Sequence, residues 1–116
     1  SYTSLTIEEV SCRQEGADLI VTARVANEGT RPGVEVVQAY GGADGEVPRL
    51  VGFARVEVEP GARELARVIV PLSVFDRRDP DGGGWRRAPG PYALRVGRDA
   101  EDLAAHRLTV EVALSA

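Results

Sequence analysis

Residues 34–40 read Val-Glu-Val-Val-Gln-Ala-Tyr, and this short stretch decides the fold class. Successive side chains of a β-strand point to opposite faces of the sheet. Val34, Val36 and Tyr40 therefore share one face, and Val37 and Ala39 share the other. A strand that is apolar on both faces indicates burial on both sides, so this strand has more apolar surface than a single core needs.

The same period-two alternation continues on both sides of this strand, and no window of ten or more residues keeps a helical stripe. A phase slip at Glu8-Glu9 predicts a β-bulge in the first strand. Pro71 ends the fifth strand, and residues 100–105 favour either one helical turn or a connecting loop. The predicted strands cover residues 5–13, 19–27, 34–40, 50–58, 65–70, 92–97 and 108–114, with a short fragment at 85–87.

Seven short strands with turn residues between them are typical of an aligned β-sandwich. We therefore predict an all-β fold, an immunoglobulin/fibronectin type III-like β-sandwich of about seven strands. The Cys-Trp-Cys pattern of a true immunoglobulin domain is missing because Cys12 is the single cysteine. Tyr92, just after a Pro-Gly turn, is where the hydroxyl of a tyrosine corner would lie. The composition of residues 72–84 predicts an irregular stretch that ends in a flexible glycine-rich loop.

Length and charge limit the functional classes. The 116 residues are expected to form one domain, residues 1–116, and the start at Ser1 indicates a cut through a longer polypeptide, so localisation is not readable. All 14 basic residues are arginines and 18 residues are acidic, so the formal charge is 14 − 18 = −4. Because the arginines alternate with acids, nucleic-acid binding is not expected. No apolar run approaches the ~18 residues of a membrane span, so no membrane partner is expected.

Few residues are candidates for catalysis or metal binding. The single Cys12 and the single His106 exclude an internal disulfide, a multi-cysteine metal site and a His-His metal pair. Cys12 falls in the inward phase of its strand and is expected to be a small buried apolar group, whereas His106 is expected at the rim. Asp76, Asp79 and Asp81 crowd one loop and could hold Ca²⁺, but the interleaved arginines favour paired surface charge.

Three blocks, in chain order, resemble the fibronectin type III-like domain at the C-terminal end of glycoside hydrolase family 3 enzymes, the β-glucosidase and β-xylosidase group. The first block is residues 27–40, which run from Asn-Glu-Gly into Glu-Val-Val-Gln-Ala-Tyr. The second is residues 48–56, Pro-Arg-Leu-Val-Gly-Phe-Ala-Arg-Val, followed by the turn at residues 60–61. The third is Trp85 with residues 89–97, Pro-Gly-Pro-Tyr-Ala-Leu-Arg-Val-Gly. Gly41-Gly42 depart from the family pattern, which continues with a β-branched residue.

The resemblance implies that the catalytic residues belong to preceding domains, a (β/α) barrel and an α/β sandwich. No catalytic residue, cofactor or metal ligand carries over to this chain. The expected function is that of a non-catalytic accessory domain, which packs against and stabilises the catalytic domains of the parent glycoside hydrolase. The candidate inter-domain contact residues are Val34, Val36, Gln38, Tyr40 and Trp85.

Two alternatives from other classes stay open, a stand-alone carbohydrate-binding module and a generic immunoglobulin-like interaction domain. Trp85 is the residue on which they differ, since its ring suits packing, inter-domain contact or stacking on a sugar. The chain has only six aromatic residues, which disfavours the platform of several exposed rings that sugar-binding sandwiches present, so direct sugar binding is not expected.

Overall fold

The described part of the chain, residues 4–110 of a computed structural model, contains nine strands, one short helix and one 3₁₀ turn. The 3₁₀ turn Leu72–Phe75 lies between β5 and β6. The elements are β1 (Leu5–Glu15), β2 (Asp18–Asn27), β3 (Gly33–Gly42), β4 (Arg49–Val58), β5 (Arg63–Pro71), β6 (Asp76–Arg78), β7 (Trp85–Arg87), β8 (Tyr92–Gly97), α1 (Ala100–Ala105) and β9 (Arg107–Val110).

The strands form two main antiparallel sheets, in the orders β1-β2-β5 and β4-β3-β8-β9, and a small ribbon of β6 and β7. The predicted all-β sandwich is thereby confirmed. Because apolar side chains alternate along the strands, each main sheet turns one apolar face inward, and the two faces form a single core. Its largest fully buried side chains include Leu19, Val21, Val37, Val68, Phe75 and Leu94.

The predicted bulge in β1 is confirmed. The pairing of β1 with β2 shifts register between Glu8 and Ser11, and Glu9 has φ +53°, in the left-handed region. β3 runs two residues past the predicted end at Tyr40. Gly41 faces inward there, and a Cβ on it would lie 3.0 Å from the Leu94 side chain and 3.4 Å from the Phe75 ring. Glycine therefore allows the strand to continue over a tightly packed core.

The prediction of an irregular stretch over residues 72–84 is wrong in its first half. Leu72 and Phe75 are buried in the core, and residues 76–78 form β6, which pairs with β7. A 3₁₀ turn has three residues per turn, so residues three positions apart lie on the same side. The turn Leu72–Phe75 therefore directs both Leu72 and Phe75 into the core.

The open alternative at residues 100–105 is settled as a helix, α1. Asp99 is its N-cap, and its side chain accepts a hydrogen bond from the backbone N–H of Asp102 at 3.0 Å. The last strand is described as β9, Arg107–Val110, and the rest of the predicted strand 108–114 lies outside the described residues.

Candidate interaction surface

The outward face of β3 carries four of the five predicted contact residues. Val34 is 51% exposed and Val36 is 39% exposed, while Gln38 and Tyr40 are half-buried. The inward residues Val37 and Ala39 are fully buried. The structure therefore brings Val34, Val36, Gln38 and Tyr40 onto one face of the sheet, in the alternation that the sequence predicted.

β4 extends this apolar face with two residues that the sequence did not single out. Phe53 is opposite Gln38 and Leu50 is opposite Tyr40, and these apolar side chains are 67% and 50% exposed. Alternation places Phe53 on the same face as Arg55 and Glu57, and the register shift between Ala39 and Tyr40 brings Leu50 onto that face as well. We call the set Val34, Val36, Tyr40, Leu50 and Phe53 the β3–β4 face.

The outer face of the other sheet is different in character. Three ion pairs hold β1 and its neighbours: Glu8 with Arg63 at 2.9 Å, Glu9 with Arg24 at 3.2 Å, and Arg13 with Glu15 at 2.6 Å. Leu65 and Ile69 are exposed among these charges. Of the eight large apolar side chains exposed in residues 4–110, five lie on β3, β4 and the loop that joins them. The apolar surface is therefore concentrated on one side of the sandwich.

Trp85, the fifth predicted contact residue, lies on a different sheet from the other four. It is 68% exposed on β7, and the guanidinium carbon of Arg78 lies 5.9 Å from its ring centroid. The ribbon that carries it is joined to the β3–β4 loop by Arg77, whose Nε donates to Glu46 Oε2 at 2.8 Å.

Two of the three acidic side chains of the predicted cluster are held by arginines. Asp79 pairs with Arg86 at 3.2 Å, and Asp76 pairs with Arg87. Asp81 is exposed. Within residues 4–110, no three His, Cys, Asp or Glu side chains come together as a group that could hold a metal ion.

Two carboxyl groups have lowered pKa values. The hydrogen bonds from Arg77 lower the pKa of Glu46. Burial opposes ionisation of Asp102, but the hydrogen bonds from the side chain and backbone of Arg98 outweigh it and lower the Asp102 pKa. The general acid of a glycosidase needs a pKa above its ordinary value. The pKa values of Glu46 and Asp102 are shifted in the opposite direction, downward.

The two other residues considered for chemistry lie at the edges of the sandwich. Cys12 packs against the core but is only half-buried, because β1 is an edge strand, and burial raises the pKa of its thiol. The expected inward orientation of Cys12 is confirmed, although the side chain is half-buried rather than buried. His106 is half-buried at the C-terminal end of α1, at the rim as expected.

Comparison with known proteins identifies the family. The sequence profile of the fibronectin type III-like domain matches residues 35–100, more than half of the chain. The chain belongs to the fibronectin type III-like domain family. This confirms the resemblance that the three sequence blocks carry.

The relatives of this fibronectin type III-like domain are much longer proteins. It is 30% identical to β-glucosidase B of Emericella nidulans, matching 100% of this chain and 14% of that protein. It is 28% identical to the xylan 1,4-β-xylosidase of Xylanibacter ruminicola, again over 14% of the relative. The crystal structure of DesR, a β-glucosidase from Streptomyces venezuelae in complex with D-glucose, superimposes with a TM-score of 0.83 at 32% identity, over 94% of this chain and 15% of DesR. The domain therefore spans about one seventh of the length of these relatives.

No helix in the described range is long and apolar enough to cross a membrane.

Proposed function

We propose that this chain is the non-catalytic accessory domain of a family 3 glycoside hydrolase, and that the β3–β4 face packs against the catalytic domains and stabilises them. The relatives that support this are β-glucosidases and a β-xylosidase, and one solved relative is a family 3 β-glucosidase from Bifidobacterium adolescentis. About six sevenths of each lies outside the matched segment. The domain thus has a large neighbour in proteins of this kind.

The β3–β4 face is the observation that carries the proposal. Large contiguous apolar patches are rare on a monomeric surface and mark sites of association. Val34, Val36, Leu50 and Phe53 are each more than a third exposed, and they lie on adjacent, hydrogen-bonded strands. The outer face of the β1-β2-β5 sheet exposes two large apolar side chains, Leu65 and Ile69, and carries the ion pairs of Glu8 and Glu9. The apolar face is therefore the side that a neighbouring domain covers.

The acidic residues support a non-catalytic role. A retaining glycosidase holds two carboxyl groups about 5–5.5 Å apart, and the pKa of one is raised so that it acts as an acid. In this chain the pKa values of Glu46 and Asp102 are lowered by arginines, and Asp76 and Asp79 are engaged by arginines as well. This arrangement uses carboxylates as structural ion pairs.

A pair of matched substitutions tests the packing. Val36→Asp places a carboxylate opposite Arg55 on the β3–β4 face, and Leu65→Asp places one opposite Arg24 on the other outer face. Each arginine already pairs with a glutamate at 3.2 Å, so the two new carboxylates meet similar surroundings.

In the domain alone, both substitutions should change the free energy of unfolding by no more than about 0.5 kcal/mol, as surface changes do. In the intact parent protein, Val36→Asp should lower the melting temperature clearly more than Leu65→Asp, because only Val36→Asp removes a carboxylate from water at an interface. Equal shifts for the two variants in the intact protein would count against the proposal.

A further inference from the structure

The β6–β7 ribbon is a two-stranded sheet of its own, which pairs with neither main sheet. The ribbon begins where the β3–β4 loop and the 3₁₀ turn meet, since Arg49 Nη2 donates to the Val74 carbonyl there at 2.8 Å. We call Arg78, Trp85 and the turn of residues 79–84 the ribbon tip.

The base of the ribbon is held firmly on the sandwich. Arg77 donates to Glu46 through Nε at 2.8 Å and to the Val74 carbonyl through Nη1 at 2.9 Å. On the other strand, the backbone N–H of Ala88 donates to the carbonyl of the buried Phe75 at 2.9 Å. The ribbon is therefore fixed to the core at both of its strands.

The turn at the tip is also ordered by its own hydrogen bonds. Asp79 Oδ1 accepts from the Asp81 N–H at 2.9 Å, Asp79 Oδ2 accepts from Arg86 at 3.2 Å, and the Asp79 N–H donates to the Gly84 carbonyl at 2.7 Å. A Cβ on Gly83 would lie 2.6 Å from Asp79 Oδ2, so a larger residue there would have to displace this carboxylate. A turn fixed in this way loses little further freedom when it binds.

The tip presents two side chains of the types that dominate binding energy at protein interfaces, Trp and Arg. Trp85 is 68% exposed, and Arg78 lies against its ring. The ribbon's other arginines, Arg77, Arg86 and Arg87, each pair with a carboxylate. Arg78 has no carboxylate partner in the described part of the chain. The tip therefore offers an indole ring and an arginine that is not paired with a carboxylate, beside the exposed Asp81.

We propose that the ribbon tip inserts into a cleft in the catalytic part of the same polypeptide, a cleft that encloses the Trp85 indole and supplies a carboxylate to Arg78. This inference rests on the proposed function and adds to it a second contact, separate from the β3–β4 face. The relatives supply the candidate occupant, because about six sevenths of their length lies outside this domain.

Two other occupants are outcomes of the test below. In a symmetric contact between two copies of the chain each contact is made twice, with one residue of each copy on a different residue of the other, so Arg78 would need an acceptor that the same tip presents. A sugar would stack on the face of the indole that Arg78 leaves open, and Trp85 is the single aromatic residue of the tip.

Hydroxyl-radical footprinting of the intact parent protein, read by peptide mass spectrometry, tests the proposal. The domain contains its own matched reporters, since Phe53 on the β3–β4 face is 67% exposed and Trp85 is 68% exposed, while Phe75 is fully buried. The protection of each side chain is the ratio of its oxidation rate in urea-denatured protein to its rate in native protein. We expect the protection of Trp85 in the intact protein to equal that of the buried Phe75. It should exceed, several-fold, the protection of Trp85 in the domain alone. Both results should hold for monomeric protein, with or without glucose.

The other outcomes overturn the proposal in distinguishable ways. If Trp85 is oxidised readily while Phe53 is protected, the tip inference fails and the proposed packing of the β3–β4 face stands. If both residues are oxidised readily, both proposals fail. Protection of Trp85 that arises only when glucose is added would assign the tip to a sugar, and protection that disappears on dilution to the monomer would assign it to a second copy.

Discussion

Tyr92 shows how one residue ties the base of the β6–β7 ribbon to the core of the sandwich. Its ring stacks on Phe75 with centroids 4.0 Å apart and planes 9° from parallel, and its hydroxyl donates to the Ala88 carbonyl at 2.6 Å. Burial raises the pKa of the phenol, so the hydroxyl keeps its proton and remains a donor. This is the tyrosine-corner arrangement predicted from the position of Tyr92 after the Pro-Gly turn.

Replacing Tyr92 with Phe should lower the free energy of unfolding of the domain by about 1–2 kcal/mol, because the buried Ala88 carbonyl loses its donor. The measurement is urea denaturation followed by circular dichroism. Tyr40→Phe is the matched control, since Tyr40 is half-buried on the outer face. If both variants lose the same stability, the hydrogen bond to Ala88 contributes nothing specific.

Asp102 makes the stability of the domain depend on acid pH. It accepts from Arg98 Nε at 2.6 Å and from the Arg98 backbone N–H at 3.2 Å, and Arg98 also donates to the Leu5 carbonyl in the facing sheet. The Asp102 pKa is lowered in the folded protein. Its contribution to stability is therefore complete above the unfolded value of about 3.9 and is lost as pH falls through the lower folded pKa.

Asp102→Asn should lower the free energy of unfolding at neutral pH. The difference from the wild type should shrink as the pH falls below about 4, because the wild-type carboxylate then becomes a neutral carboxylic acid. Urea denaturation at a series of pH values measures this difference. Asp44→Asn, at an exposed position, is the control. A destabilisation by Asp102→Asn that does not change with pH would contradict the role of its charge.

At the scale of elements, the sequence predicted the strands that show apolar alternation and missed β6, which shows none. The alternation along β3 separates Val34 and Val36 from Val37, and the structure has the first two exposed and Val37 buried, as predicted. β6 has only three residues, Asp76–Arg78, and shows no apolar alternation. Its pairing with β7 is made by Arg87 and Trp85 across a turn, and nothing local in the sequence records that register.

The ribbon should depend on its anchor at Glu46. A two-stranded ribbon is marginally stable alone, so Glu46→Ala, which removes the hydrogen bonds to Arg77 and to the Ala43 N–H, should speed amide exchange in β6 and β7. Exchange in the central strand β2 should not change. Hydrogen exchange with mass spectrometry measures both, and Glu57→Ala, which removes the exposed pair with Arg55, is the control. Similar exchange of the ribbon in both variants would show that other contacts hold it.

At the scale of the whole molecule, the candidate surface divides into a part that the sequence predicts and a part that needs the assembled sheets. The outward direction of Val34 and Val36 follows from the strand period alone. The exposure of Leu50 follows only once β3 and β4 are paired, and the position of Trp85 on a separate ribbon follows only from the pairing of β6 with β7. The two surfaces lie on different sheets, which suits two contacts with one large neighbour.

The last prediction concerns the domain without that neighbour. The chain alone should not release the phenol from aryl β-glucosides, because hydrolysis with retention requires two carboxyl groups about 5–5.5 Å apart, one of them with a raised pKa. Here the arginines lower the pKa values of Glu46 and Asp102 and engage Asp76 and Asp79. A chromogenic assay, with the intact parent protein as the positive control, measures this directly. Release that scales with the concentration of the chain, and that substitution of one of its carboxylates abolishes, would instead give the domain a catalytic centre of its own.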